Sequence, residues 1–222
     1  MIFSIKYWAL DNRFDVIATG SLLGVSLKDG AYPVGYEKKE ILYPLDFEEF
    51  LWAIGISEAS ISVLKPYFTN GERIPSVLND KMFEYLKTYM IVGGMPAVVN
   101  VYLETHNFME VDSIQQQLIS SYEEDIAHYA QASDRIKAQA CYKSIPLQLL
   151  KDNHKFQYKL VRKGSISSDY FNSFDWLEKA GLVQRCYNLQ IPSFPIRGYL
   201  DQDKYKAYLN DIGLLISTYG IK

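Results

Sequence analysis

Two hydroxyl side chains stand where a short apolar run of the sequence ends. The run covers residues 16–18, and Thr19 and Ser21 follow it on either side of Gly20. An apolar run without alternation is typical of a strand covered on both faces, as in a parallel sheet, and the carboxyl edge of such a sheet is where ligands bind. Thr19 and Ser21 could therefore donate hydrogen bonds to a ligand phosphate, or they could lie at an ordinary strand-to-loop junction.

A second group of candidate binding residues is a basic cluster in the C-terminal half. Residues 151–163 include five Lys or Arg side chains and one acid. Phosphate contacts in protein–nucleic acid complexes come from Lys, Arg and hydroxyl side chains and from helix N-termini. The residues expected to contact nucleic acid are Lys155, Lys159, Arg162, Lys163, Ser165, Ser168, Lys204 and Lys206.

The helix predicted after this cluster argues against base reading. It carries Asp169, Asp175 and Glu178, with Lys179 as its one cation. Acidic side chains would repel phosphates in a major groove and read few bases. DNA and protein therefore both stay open as partners, and docking onto a protein, or within a longer chain, fits these charges at least as well.

The sequence predicts neither a metal site nor a complete nucleotide site. Glu124, Asp125 and His128 share a helical face, but a di-metal bundle needs a second such motif, which is missing. Cys141 and Cys186 are far apart and indicate a reducing compartment rather than a disulfide framework. The P-loop pattern G-x-x-x-x-G-K-[ST] is also missing. We therefore expect no cofactor for this chain alone and no ATP hydrolysis by it.

Capping and breaking residues divide the first two thirds of the chain. Asp46 and Glu49 predict a capping box at the start of an apolar helical face, and Pro44 ends a preceding strand at residues 40–43. A helix predicted over 78–92 ends at Gly93-Gly94, which we interpret as a packing corner, and Pro96 opens the next helix. Residues 2–10 and 111–130 also have helical patterns, whereas residues 57–75 look irregular.

From Ser133 onward the predicted order is helix, helix, strand, tip and strand. Ser133 caps a helix that is interrupted near Pro146, and Ser167 or Ser168 caps the next one. Strands are predicted at 182–189 and 204–209, on either side of a proline-containing tip. This order is typical of a winged helix-turn-helix. The helix that begins at Ser167 or Ser168 would be the third helix of such a unit. Its apolar face is expected to consist of Tyr170, Phe171, Phe174 and Leu177.

Four segments of the sequence resemble a known family. They are Ala-Thr-Gly-Ser-Leu-Leu-Gly-Val at 18–25, Pro-Val-Gly at 33–35, Tyr-Pro-Leu-Asp-Phe-Glu-Glu-Phe at 43–50 and Gly-Gly-Met-Pro-Ala-Val-Val at 93–99. They are similar to a bacterial and archaeal AAA-like ATPase family, in which the ATPase core precedes a domain of unknown function and usually a nuclease-like tail. The resemblance implies that Thr19 or Ser21 matches the sensor of the nucleotide γ-phosphate, and that the intact family uses ATP and Mg²⁺. It also implies that the chain is a fragment, from a truncated or split gene or a partial sequence, without the P-loop part and the tail.

These predictions give a mainly α chain with small β elements in three parts. Residues 1–56 are the expected remnant of an α/β P-loop ATPase core, 57–132 a helical connector and 133–222 a winged-helix-like domain. A remnant strand without neighbours predicts self-association or docking onto missing family domains. The net charge of −3 gives no general attraction to nucleic acid or anionic membranes. Without a signal peptide or a bilayer-length apolar stretch, we expect a cytoplasmic protein with no membrane partner.

Overall fold

The computed structural model is mainly helical and describes residues 10–11, 13–17, 19–20, 38, 40–129 and 132–220. Its one described sheet is a two-stranded antiparallel hairpin. The helices with described bounds are α1 (Phe47–Ala53), α2 (Glu58–Ser62), α3 (Leu64–Asn70), α4 (Ser76–Val92), α5 (Pro96–Thr105), α6 (Phe108–Tyr129), α7 (Ala132–Leu149), α8 (Tyr158–Val161), α9 (Ser167–Lys179) and α10 (Ile212–Thr218). The strands are β1 (Val183–Leu189) and β2 (Leu200–Leu209), joined through a short 3-10 helix at Ile196–Tyr199.

The described residues before α1 contain no strand. Val16 and Ile17 have no regular structure and Ile17 is 90% exposed, so the buried strand predicted at 16–18 is wrong for both, while Ala18 lies outside the described residues. The strand predicted at 40–43 is also wrong, and Leu42 is 90% exposed. A strand needs a neighbour for its backbone hydrogen bonds, and no described residue pairs with either segment as a strand. Of the helix predicted at 2–10, only Leu10 is described, and it is helical.

Helix α1 begins as the sequence predicts. The Asp46 carboxylate accepts a hydrogen bond from the Glu49 N–H at 2.9 Å, and the Glu49 carboxylate accepts one from the Asp46 N–H at 2.9 Å. Such a cap typically stabilises a helix by about 0.5–2 kcal/mol. The helix then buries Phe50 against the first of two cores, whose other fully buried members are Val92, Val98, Val99 and Val111.

Residues 57–75 are more regular than expected, because they form α2 and α3. The Ser57 hydroxyl accepts the Ser60 N–H at 3.2 Å and caps α2. Gly71 ends α3 with a φ of +65°, a left-handed conformation that glycine adopts readily. The end of α4 at Gly93 and the start of α5 at Pro96 are both confirmed.

Helix α7 continues through Pro146, where the sequence predicted an interruption. It also begins at Ala132, so Ser133 lies inside the helix and not at the position before it. A proline in a helix interior loses one backbone hydrogen bond. Here α7 buries Cys141, Tyr142 and Ile145 in the second core, and that burial keeps the segment around the proline helical.

Both predicted strands are present, and they pair with each other. The register is regular from Val183 opposite Leu209 to Tyr187 opposite Tyr205. The next pair joins Asn188 to Asp201, so residues 202–204 bulge out of β2. The buried side chains of β2 alternate along the strand as predicted, and they are Tyr205, Ala207 and Leu209.

Helix α9 packs the second core against the hairpin, but with a narrower face than expected. Tyr170, Phe174 and Leu177 are buried, whereas Phe171 is 58% exposed, so its predicted core position is wrong. With 3.6 residues per turn, Phe171 lies about 100° around the helix from Tyr170, which places it at the edge of the buried stripe although it is three residues before Phe174. Neither Ser167 nor Ser168 caps α9, because both lie within the helix and Ile166 precedes it.

None of the helices in the described part of the chain has the length and apolar character needed to cross a bilayer.

Candidate binding surface

The basic cluster lies on a segment whose apolar members are anchored in the second core. Phe156 is buried, and its N–H donates to the Tyr205 carbonyl at 3.0 Å. The N–H of Gln157 donates to the Gln148 side chain at 2.6 Å. The hydroxyl groups of Tyr158 and Tyr205 lie 2.5 Å apart. Since the backbone is held in this way, the cations that flank these anchors, Lys155 and Lys159, have a defined place on the surface.

The cations of this segment have no carboxylate partner among the described residues. Among the described residues, no acid lies within 4.0 Å of a charged atom of the cluster, although ion pairs occur at several other Lys and Arg residues. All of these side chains are exposed except Lys155, which is half-buried. The cations of the segment are Lys151, Lys155, Lys159, Arg162 and Lys163.

The serines at the start of α9 have different roles. Ser165 is half-buried, and its hydroxyl donates to the hydroxyl of Tyr170 at 3.2 Å. Ser168 is exposed in the first turn of α9. A turn in which the Ser165 N–H donates to the Arg162 carbonyl at 3.1 Å connects the basic segment to this helix. Ser168 is therefore accessible beside the cations, whereas the Ser165 hydroxyl already has a partner.

Of the two lysines predicted on the hairpin, Lys204 is paired with a carboxylate and Lys206 has no such pair among the described residues. The Lys204 ammonium lies 2.9 Å from the Asp201 carboxylate, across the bulge in β2. The hydrogen bond with Lys204 lowers the pKa of Asp201, and the charge of Lys155 makes a smaller contribution in the same direction. Lys206 is half-buried on β2 opposite Cys186. The backbone hydrogen bond from Phe156 to Tyr205 thus places Lys155 beside the hairpin, and Lys204 is a paired charge on β2.

The exposed side of α9 is partly apolar, and two of its acids, Asp175 and Glu178, are paired with cations. Lys179 contacts Asp175 at 2.7 Å, and the Arg185 guanidinium contacts Glu178. Between these charges and the start of the helix lies the exposed ring of Phe171. The tip of the hairpin is also apolar, and its exposed members include Ile191, Phe194 and Ile196.

The candidate phosphate-sensing residues are not assembled into a site in the described part of the chain. Thr19 is exposed, and its side chain makes no hydrogen bond to another described residue. Ser21 lies outside the described residues. The described residues also contain no group of three or more side chains placed to bind a metal ion. Glu124, Asp125 and His128 therefore do not form such a group.

A buried carboxylate that the sequence did not single out joins distant parts of the chain. The Asp211 carboxylate accepts the Gly94 N–H at 2.7 Å and the Leu214 N–H at 2.9 Å. Burial raises the pKa of Asp211, although these backbone hydrogen bonds act in the opposite direction. The signal available in the sequence was its position before the apolar start of α10, which is typical of a helix cap.

The Gly94 peptide completes this junction. Its carbonyl accepts the Leu45 N–H at 2.8 Å, and the Leu45 carbonyl accepts the Tyr89 hydroxyl at 2.8 Å. Burial, together with the negative charges of Asp211, Asp46 and Glu49, raises the pKa of Tyr89 to about 12. The packing corner predicted at Gly93-Gly94 is therefore the place where the segment before α1, the end of α4 and the start of α10 meet.

The fold and the candidate site define a mainly α protein with one small hairpin, with no metal-ligand cluster in its described residues. The model of the family described as Domain of unknown function (DUF8612) matches residues 83–222, which is more than half of the chain. The chain therefore belongs to this family. No curated protein and no solved structure matches the chain significantly.

Proposed function

We propose that this chain is a non-catalytic binding module of the AAA-like ATPase family that its sequence resembles, and that residues 133–222 form a winged-helix-type unit that docks onto a protein. In this proposal residues 1–56 are the remnant of an ATPase core and 57–132 connect the two. The sequence resemblance supports the ATPase parentage. The exposed ring of Phe171 on α9 is the observation that carries the docking function.

The order and packing of the elements support the winged-helix interpretation. Helices α7, α8 and α9 precede a paired hairpin, and all of them contribute to one core. Phe156 stacks on Tyr205 with ring centroids 5.8 Å apart and meets Phe174 edge to face at 4.8 Å. The segment before α8, the third helix and the hairpin therefore share one aromatic cluster, as a compact helix-turn-helix unit with a wing requires.

The chemistry of α9 favours a protein over the major groove of DNA. A recognition helix in a groove contacts base edges and phosphates. Here the exposed ring of Phe171 lies on the accessible side of α9, and the half-buried Asp175 one turn further along is paired with Lys179. Exposed aromatic side chains near paired charges are typical of the anchors of protein interfaces. The partner that the family resemblance suggests is the ATPase core itself, either in the same polypeptide or in a second one.

The test is a calorimetric titration of this chain with a purified AAA-like ATPase core of the family from the same genome. Phe171→Ser should weaken binding at least about tenfold, since a buried aromatic anchor typically contributes 2 kcal/mol or more. The matched control is Phe68→Ser, because Phe68 is 90% exposed on α3, outside the proposed unit. Equal losses in the two variants, or no binding by the wild-type chain, would contradict the proposal.

A further inference from the structure

The charge of this protein is unevenly distributed along the chain. The whole chain has a net charge of −3, yet residues 151–163 alone have a net charge of +4, which leaves −7 for all other residues. His154 and Asp152 are the remaining titratable side chains of the segment, apart from Tyr158. A local concentration of one sign within an oppositely charged protein creates a field that attracts ligands of the other sign to that place.

The described structure does not use these cations for its own ion pairs. Lys143, Lys179, Arg185 and Lys204 lie on the elements around the segment, and each contacts a carboxylate. The cations of residues 151–163 have no such contact among the described residues. Ion pairs between exposed side chains add little to stability. The lack of such pairs at residues 151–163 therefore costs the fold little and leaves these cations available to a partner.

The segment also holds its cations in a defined arrangement. Phe156, Tyr158 and Val161 pack in or against the second core, while Lys159 and Arg162 are exposed between and beside them. The carbonyl of Leu149 lies 2.5 Å from the His154 ring nitrogen and closes the turn after α7. A partner that binds this segment therefore has to order only the side chains and not the backbone, which lowers the entropy lost on binding.

We propose that the basic segment Lys151–Lys163 binds the phosphate backbone of nucleic acid, without reading its sequence. Lys159, Arg162 and Lys163 make the central contacts, and Lys155 extends them toward the hairpin. Phosphate binding draws its free energy from the release of condensed counterions, so exposed cations without apolar anchors are sufficient. An acidic protein has no such counterion atmosphere, and exposed charge pairs alone would bind it weakly.

This proposal depends on Lys and Arg side chains, whereas the protein-docking proposal depends on the ring of Phe171, so the two proposals can fail independently. The test is fluorescence anisotropy of the full chain with two labelled DNA duplexes of unrelated sequence. Each duplex has about 20 base pairs, and the salt concentration runs from about 50 to 200 mM. Contacts with about four phosphates predict a slope of log affinity against log salt near −3.6, equal for both duplexes. Lys159→Glu combined with Arg162→Glu should weaken binding at least about tenfold and reduce the slope by about 2.

The control variants separate a local contact from a general charge effect. Lys65→Glu combined with Lys87→Glu makes the same change in net charge at two exposed residues of α3 and α4. This variant should bind both duplexes within about threefold of the wild-type chain, because long-range effects are screened beyond about 10 Å at these salt concentrations. Phe171→Ser should leave duplex binding unchanged.

Three results would overturn the proposal. The first is no duplex binding by the wild-type chain at the lowest salt concentration. The second is an equal loss of affinity in the two charge-reversed variants. The third is tighter binding of labelled polyglutamate than of duplex at the same salt concentration, which would assign the segment to an acidic protein. Thermal melts of all variants, followed by circular dichroism, show whether each remains folded.

Discussion

At the scale of single residues, Gly94 has less space for an added Cβ atom than any other glycine of residues 55–220. Its N–H and its carbonyl both make hydrogen bonds to residues that are distant in sequence, Asp211 and Leu45. A Cβ atom on this glycine would come within 1.9 Å of the Leu45 carbonyl oxygen, well inside van der Waals contact. The glycine is therefore required by the close approach of two backbones.

We expect Gly94→Ala to lower the free energy of unfolding by about 3 kcal/mol or more, because the backbone of residues 44–46 must move away and lose hydrogen bonds. Urea denaturation followed by circular dichroism measures this change. Gly198→Ala is the matched control, since the nearest atom to its added Cβ would be 3.9 Å away. The explanation is wrong if the two substitutions have similar effects.

The buried carboxylate of Asp211 makes stability depend on pH in a defined direction. Because burial raises its pKa above 3.8 in the folded protein, the folded state holds this proton more tightly than the unfolded state does. The stability that comes from this proton is fully present below pH 3.8 and is lost as the pH rises through the folded pKa. The stability advantage of the wild-type chain over Asp211→Asn should therefore shrink as the pH rises through that range.

The measurement for Asp211 is the free energy of unfolding of both proteins from urea titrations, at several pH values from just below the unfolded pKa to neutrality. Other groups titrate equally in the two proteins, so the difference isolates residue 211. A wild-type advantage that grows with pH in this range would mean that the backbone donors outweigh burial, contrary to our interpretation.

At the scale of elements, α9 shows how one helical position separates a core residue from a surface residue. We expect Phe174→Ala to destabilise the protein by about 3–5 kcal/mol, because its ring is fully buried among Phe156, Tyr158 and Tyr205. Phe171→Ala, on the same helix, should change stability by no more than about 0.5 kcal/mol. Comparable losses in both variants, measured by urea denaturation, would place Phe171 in the core after all.

The sequence predicted helix ends and strands well wherever the interactions that define them involve residues close together in sequence. The capping box at Asp46, the helix end at Gly93 and the alternation of β2 all depend on neighbours in sequence, and all are confirmed. Other predictions failed where contacts between residues far apart in sequence determine the local structure. Packing keeps α7 helical through Pro146, and residues 40–43 have no partner strand among the described residues.

The candidate surface was predictable as a set of charges but not as a set of partners. The sequence located the basic segment, yet it could not distinguish the unpaired Lys159 from Lys204, which Asp201 contacts across a bulge. It likewise could not find the junction of Gly94 with Asp211, because these residues are separated by 117 positions. Side-chain pairing of this kind depends on the register of elements, which no local pattern specifies.

At the scale of the whole molecule, we expect this chain alone to bind Mg-ATP more weakly than about 0.1 mM, which corresponds to about 5.5 kcal/mol. A hydroxyl such as that of Thr19 contributes only about 0.5–1.5 kcal/mol through one hydrogen bond. The P-loop backbone and lysine that supply the rest are missing from the sequence. Calorimetric titration, with phosphate release followed in parallel, measures this affinity. Tighter binding that Thr19→Ala and Ser21→Ala together abolish would show that a nucleotide site exists.

The first core has a consequence for the border of the family. The family match begins at residue 83, inside α4, whereas the apolar side chains of Val92, Val98 and Val111 are covered by Phe50 of α1. A polypeptide cut at that border would expose these side chains and would also lose Leu45, the hydrogen-bond partner of Gly94. The segment that sequence similarity recognises therefore contains only part of the first core, whose remaining cover comes from α1.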